Sequence, residues 1–212
     1  MTYLADVGAL ARKDLLLELR ARDTLPAMLL FVVSTLVVFH FVLPQDSSDL
    51  AATGLLWVAL LFTALLGLSR SFAAEREQGV IDGLVLAPSD RSAIWLGKAL
   101  SILAFLALAE LIALPAYALF FQPVDGALVG GIALADVGIA AVGTLLAAMA
   151  TASRARELLL PLLFLPLAIP IVIGGVGASV TDEPGRYLGL LGLYDALFAI
   201  ICWASFEYVV TE

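Results

Sequence analysis

Apolar residues gather in six long runs along this chain, at about 25–43, 51–69, 99–121, 127–150, 158–178 and 188–209. Each is close to the roughly 20 residues that a helix needs to cross the hydrocarbon of a bilayer. Lipid offers the backbone no hydrogen-bond partners, so in a membrane these runs predict helices. Most charged residues fall outside these runs. Three gaps (44–50, 122–126 and 179–187) are short and carry Pro44, Pro123 and Pro184, as tight connections do. Another is long: from Arg70 to Lys98 the chain reads RSFAAEREQGVIDGLVLAPSDRSAIWLGK. Residues 4–22 have a different pattern. Leu4, Val7, Leu10, Ala11, Leu15 and Leu19 recur at helical spacing, and Arg12, Lys13, Glu18, Arg20 and Arg22 take much of the other face. Too charged to span, this segment predicts an amphipathic helix lying in the interface, its apolar side in lipid. The expected fold is all-α: six transmembrane helices behind an N-terminal interfacial helix.

Composition agrees. The 212 residues are 62% hydrophobic and 14% charged, where a soluble domain is nearer half and a quarter. The length suits one domain, 1–212. The net charge of −8 argues against a nucleic-acid partner. A single cysteine, Cys202, excludes an internal disulfide, and no Cys/His cluster offers a metal site. Residues 1–22 lack the unbroken apolar core and cleavage site of a signal peptide.

Charge also orients the chain. With the N-terminus inside, Arg12, Lys13, Arg20, Arg22, Arg70, Arg76, Arg91, Lys98, Arg154 and Arg156 fall on the cytoplasmic side and only Arg186 outside. That bias predicts N-in, C-in topology in the cell membrane. The outer loops carry Asp46, Asp49, Asp125, Asp182 and Glu183 instead. The segment 70–98 is then cytoplasmic. Glu75, Arg76, Glu77 and Gln78 suit a short charged helix that Gly79 can end. Val80, Ile81, Leu84, Val85 and Leu86 add an apolar stripe too short to cross, and Ser89 or Asp90 can cap a helix leading into Lys98. A soluble partner would grip such a surface; a solvated connecting loop is the other reading.

Four acidic residues lie inside the runs: Glu110, Asp136, Asp195 and Glu207, the last close enough to the inner end to be wetted. A buried carboxylate is costly, so it is neutralised, paired or facing water. With no Lys or Arg at matching depth, partners must come from hydroxyls, another subunit or a proton. Glu110, Asp136 and Asp195 are thus candidates for a polar lining or a subunit contact, against the reading of hydrogen-bonded packing residues. His40, beside Phe39 and Phe41, is a weak candidate for an axial haem ligand and otherwise a belt residue. The fifth run, LLLPLLFLPLAIPIVIGGVG, holds Pro161, Pro166 and Pro170 and predicts a kinked or broken helix. Gly126 and Gly130 make a lone GxxxG. The chain shows no GxSxG, HExxH or GxxxxGK[ST], so it is read as non-enzymatic, and any ATP would be bound by a separate subunit.

The segment EREQGVIDGLVLAPSDRSAIWLGK resembles the E-x-E-x-G … L-x-P … K stretch of ABC-2-type permeases. With GLLWVALLFTALLGLSRSFAAEREQGVIDGLVLAP, Gly97-Lys98 and the proline-rich fifth run, the chain is similar over nearly its whole length to the haem exporter B family. This is the membrane subunit of the ABC complex used in c-type cytochrome maturation. The resemblance implies an ABC ATPase subunit as partner, two copies of each, and a haem-handling membrane protein beside a haem chaperone. It implies haem as possible cargo, ATP on the partner, and Glu75, Glu77, Gly79, Asp82 and Gly83 in the ATPase-coupling element. A net charge of −8 is a departure from the family it resembles. No haem pocket is legible in the sequence, which tilts the reading toward release of the loaded chaperone. An ABC-2-type exporter for a lipid, drug or glycan, or a non-transporting scaffold, are the alternatives.

Overall fold

The computed structural model describes residues 3–44, 49–72, 90–151 and 156–211. Within them are seven helices and no strand: α1 (Tyr3–Ala21), α2 (Thr24–Val42), α3 (Asp49–Arg70), α4 (Arg91–Phe120), α5 (Gly126–Thr151), α6 (Arg156–Val180) and α7 (Pro184–Thr211). α2 to α7 are each long and apolar enough to cross a membrane. Because consecutive spans run in opposite directions, α1, the end of α3 at Arg70, the start of α4 at Arg91 and the end of α7 at Thr211 share one end of the bundle. We call it the basic end.

α5 is the central helix and the most buried span. It packs most extensively on α6 and α7. Its sequence explains the position: glycine and alanine dominate its buried face, from Gly131 through Ala148. Lipid tails are as apolar as leucine, so spans associate where small side chains let backbones approach. α2 and α7 lie outermost. The GxxxG of Gly126 and Gly130 is not such a seam, since Gly126 has no neighbour within 4 Å and Gly130 only Leu188 at 3.8 Å.

Two expectations change, for α1 and for the fifth span, and the expectation of a helix capped at Asp90 is met. α1 does lie against the bundle, but its apolar side is divided. Val7 is buried and Leu10 packs into the core of α4, while Leu4, Leu16 and Leu19 stay exposed. α4 begins at Arg91, eight residues before the apolar run, because Asp90 caps it: its carboxylate accepts from the Ser92 amide at 2.9 Å. The fifth span is not broken; α6 is helical throughout. Pro166 and Pro170 stand on its exposed face, and the Tyr194 hydroxyl of α7 donates to the Leu167 carbonyl at 2.8 Å, inside the proline-weakened turn. A neighbour's hydroxyl thus adds a donor beside the turn in which Pro170 leaves the Pro166 carbonyl without its amide.

The glycines of α6 are seats for large rings. A Cβ on Gly175 would stand 2.2 Å from the Trp57 ring and one on Gly177 2.3 Å from Tyr187. Trp57 Nε1 donates to Ser179 Oγ at 3.4 Å, locking α3 to α6.

Candidate functional site

Glu75, Glu77, Gly79, Asp82 and Gly83, the residues expected in a coupling element, lie outside the described residues. The two ends of their segment are described, and they meet. Lys98, about two turns into α4, is buried. Its Nζ donates to the Ser71 carbonyl at 2.7 Å, just past the end of α3, and lies 3.1 Å from Asp14 Oδ2 of α1. It also stands 4.8 Å above the Phe72 ring. Lys13 reaches the other Asp14 oxygen at 3.0 Å. Beside it, Gly97 lets α1 come close: a Cβ there would be 2.8 Å from Leu10 Cβ. The Ser101 hydroxyl donates to the Gly97 carbonyl at 2.9 Å and lies 3.4 Å from that of Ala11. A cavity of about 40 Å³ under this junction, large enough for a few waters, is lined in part by Glu18, Arg70 and Ser101. The Gly-Lys pair noted in the sequence therefore ties α1, α3 and α4 where the long polar segment leaves and returns.

The intramembrane acids lie at one level. Glu110 is ten residues before the end of α4, Asp136 ten after the start of α5, and Asp195 eleven after the start of α7. At 1.5 Å per residue each is about 15 Å from the end opposite the basic one, near mid-bilayer. Glu110 and Asp136 face each other within hydrogen-bonding reach. Carboxylates only accept, so the pair holds through a proton on one of them. Trp57, Ile132 and Ile171 close around it, leaving about 10 Å³, at the lower limit for a single water. The pair is a polar contact between α4 and α5.

Asp195 stands apart. It contacts Gly138, and a Cβ there would be 2.6 Å from its Oδ1. Asp136 and Gly138 are two positions apart, about 200° around the helix, so the two acid sites flank α5 on opposite sides. Asp195 is buried, and neither of its side-chain oxygens has a hydrogen-bond partner among the described residues. Glu207 is exposed and pairs with Arg91 at 3.3 Å.

His40 is exposed near the end of α2 opposite the basic end. Its Nδ1 lies 2.9 Å from the carbonyl of Phe120, the last residue of α4. A carbonyl cannot donate, so Nδ1 does. The ring sits among Phe41, Phe120 and Phe121. His40 thus satisfies an orphan helix-end carbonyl. Among the described residues no group of three His, Cys, Asp or Glu side chains is placed to hold a metal.

Sequence reasoning missed the Glu110–Asp136 contact and the Lys98 junction. Equal depth along three spans could have suggested the first; the second needed the position of α1.

Known proteins resemble this chain along almost all of its length. The family model described as CcmB protein matches residues 6–205. The chain is 33% identical over 213 residues to the heme exporter protein B of Rhodobacter capsulatus, covering 93% of this chain and 95% of that one. It is 33% identical over 207 residues to that of Paracoccus denitrificans, with the same coverage. With that of Bradyrhizobium diazoefficiens it shares 29% over 210 residues, 96% and 92% of the two chains.

Proposed function

The chain belongs to the CcmB protein family, and from that premise we propose that it is the membrane permease subunit of an ABC transporter for haem in c-type cytochrome biogenesis. A separate ATPase subunit binds the cytoplasmic segment 70–98, with Glu75, Glu77, Gly79, Asp82 and Gly83 in the coupling element. ATP hydrolysis then drives haem export or the release of a haem-loaded chaperone at the other face. Two copies of each subunit, a haem-handling membrane protein and the chaperone complete the assembly, in the inner membrane with both termini cytoplasmic.

The observation that carries this reading is the Lys98 junction. A force on the segment is received at Ser71–Phe72 and at Asp90, where the described residues flank it. Lys98 joins the first to α4 and to α1 through one ammonium. α4 is a continuous helix from Arg91 to Phe120 and carries Glu110 at mid-depth. Displacement at the basic end therefore acts directly on the Glu110–Asp136 contact, about 18 Å away along twelve residues of helix.

The test is copurification followed by haem spectroscopy with and without ATP. An ATPase subunit should copurify, and charge reversal at Glu75 and Glu77 should lower its stimulated ATPase activity or the yield of cytochrome c. Normal values for both variants would sink the coupling assignment.

A further inference from the structure

We propose that a groove at the basic end of the bundle, between α3, α5 and α6, binds a flat, apolar, carboxylate-bearing macrocycle: haem or another porphyrin on its way into the membrane. This rests on the haem reading above and gives its cargo an entry site. The groove measures about 560 Å³, within the roughly 300–1,000 Å³ of ligand sites. Its walls include Phe31 of α2, Phe62 of α3, and Leu160 and Pro161 of α6; Ala147 and Ala150 of α5 form part of the lining. The space exists because α5 presents methyl groups there, so that its larger neighbours meet over a gap.

Polarity is confined to one lip. The Ser69 and Thr151 hydroxyls are turned onto carbonyls of their own helices, at 2.8 and 2.6 Å. That leaves Arg70 as the charged group of the lining. It is exposed, and it makes no ion pair or side-chain hydrogen bond among the described residues. A guanidinium takes a carboxylate through two parallel hydrogen bonds. An aromatic and proline wall suits a rigid ring face. A body that is apolar and planar, with acids on one edge, meets both demands at once.

The lining also says how the iron is treated. None of its described residues is His, Cys, Met or Tyr, the side chains that ligate haem iron. The groove would recognise the macrocycle and its acids and leave the metal alone, as suits a site of passage. Metal-free, zinc and ferric porphyrins should then bind alike.

The experiment titrates the full-length chain, in phosphatidylcholine nanodiscs, with zinc protoporphyrin, read by its fluorescence against empty discs. We expect saturable binding at one site per chain, and ferric haem should compete with similar affinity. Arg70→Ala should weaken binding about tenfold, the effect of losing a charge-assisted pair. The porphyrin dimethyl ester should bind more weakly and be indifferent to that substitution. Ala150→Phe should fill the groove and abolish binding. Because Ala150 is buried, Phe62→Ala on the half-exposed wall serves as a second variant and should weaken binding while the chain stays folded. The proposal is overturned by no saturable binding above empty discs, or by equal binding in wild type, Arg70→Ala and Phe62→Ala. It is equally overturned if phosphatidylglycerol in the discs displaces the porphyrin, which would make the groove a lipid-headgroup site. Copurification with the ATPase is independent of all these outcomes, so the permease reading can survive the loss of this site.

Discussion

The Lys98 ammonium stands 3.1 Å from the Asp14 carboxylate, with both side chains nearly dry, at 5% and 10% exposure. A buried pair of this kind contributes little against an apolar pair of the same shape, but breaking it is costly. Lys98→Met or Asp14→Leu alone should each destabilise the protein by about 3–5 kcal/mol, and the double variant should recover much of that. Thermal unfolding in detergent reads the cycle. If the junction also transmits force, the double variant should regain stability without regaining partner-stimulated ATPase activity, since methionine cannot donate to the Ser71 carbonyl. Recovery of both would reduce Lys98 to a packing residue.

Gly97 makes a separate case at the same junction. Here the substituent would meet Leu10 Cβ at 2.8 Å and the Val7 carbonyl at 3.3 Å, neither of which can swing away. Gly97→Val should push α1 off α4, costing about 1–3 kcal/mol as overpacking does. A disulfide trap between α1 and α4 should then form more slowly than in the parent chain.

How far was this architecture legible before the structure? The spans were, because a bilayer leaves a backbone few options and the apolar runs are cleanly bounded. Asp90 was readable as a cap by its local chemistry. That the helix it caps runs unbroken into the span was not, because Arg91, Ser92 and Lys98 dilute its first turns, and hydropathy cannot know that Lys98 is buried against Asp14. Depth along a span can be counted, but the direction a residue faces around the bundle cannot. So the sequence presents Glu110 and Asp136 as separate acids short of partners, whereas in the fold each is near the other. The prolines of α6 mark a weakened ladder in the sequence, but Tyr194, which donates into it, lies on another helix.

The ring seat on α6 offers a test of packing. Gly175→Ala would drive a methyl into Trp57, which also borders the acid pair. The substitution should be destabilising by about 1–3 kcal/mol. Replacing Trp57 by Leu in the same chain should relieve it in part. A simple sum of the two single effects, measured by unfolding midpoints, would mean that the ring is not the obstacle.

Asp90 gives a pH dependence with a definite sign. Its carboxyl is held below the ordinary value of 3.8 by the hydrogen bonds from the Ser92 hydroxyl and amide. A lowered folded-state value means that the cap's contribution is complete above the unfolded value and is lost as pH falls through the folded one. The first turn of α4 should therefore lose amide protection only in acid, below about pH 4, the ordinary carboxylate range. Asp90→Asn should remove the dependence while keeping much of the cap, and Asp90→Ala should cost about 1 kcal/mol at neutral pH. Hydrogen exchange at Ala93 to Trp95 measures both.

The Glu110–Asp136 contact decides whether the membrane acids take part in the cycle. An amide donates where a protonated carboxyl does, so Glu110→Gln can keep the hydrogen bond to Asp136, whereas Glu110→Ala leaves a buried acid unpaired at about 1–3 kcal/mol or more. If the pair only packs, Glu110→Gln should support normal cytochrome c yield and Glu110→Ala should fail through instability alone. If α4 and α5 must part and rejoin during each turnover, the fixed amide should behave differently. The protein should assemble and copurify with its ATPase, yet ATP-dependent haem or chaperone release should fall. That separation of assembly from turnover is what we expect. A Glu110→Gln variant with full activity and full stability would show that the contact does not change during the cycle.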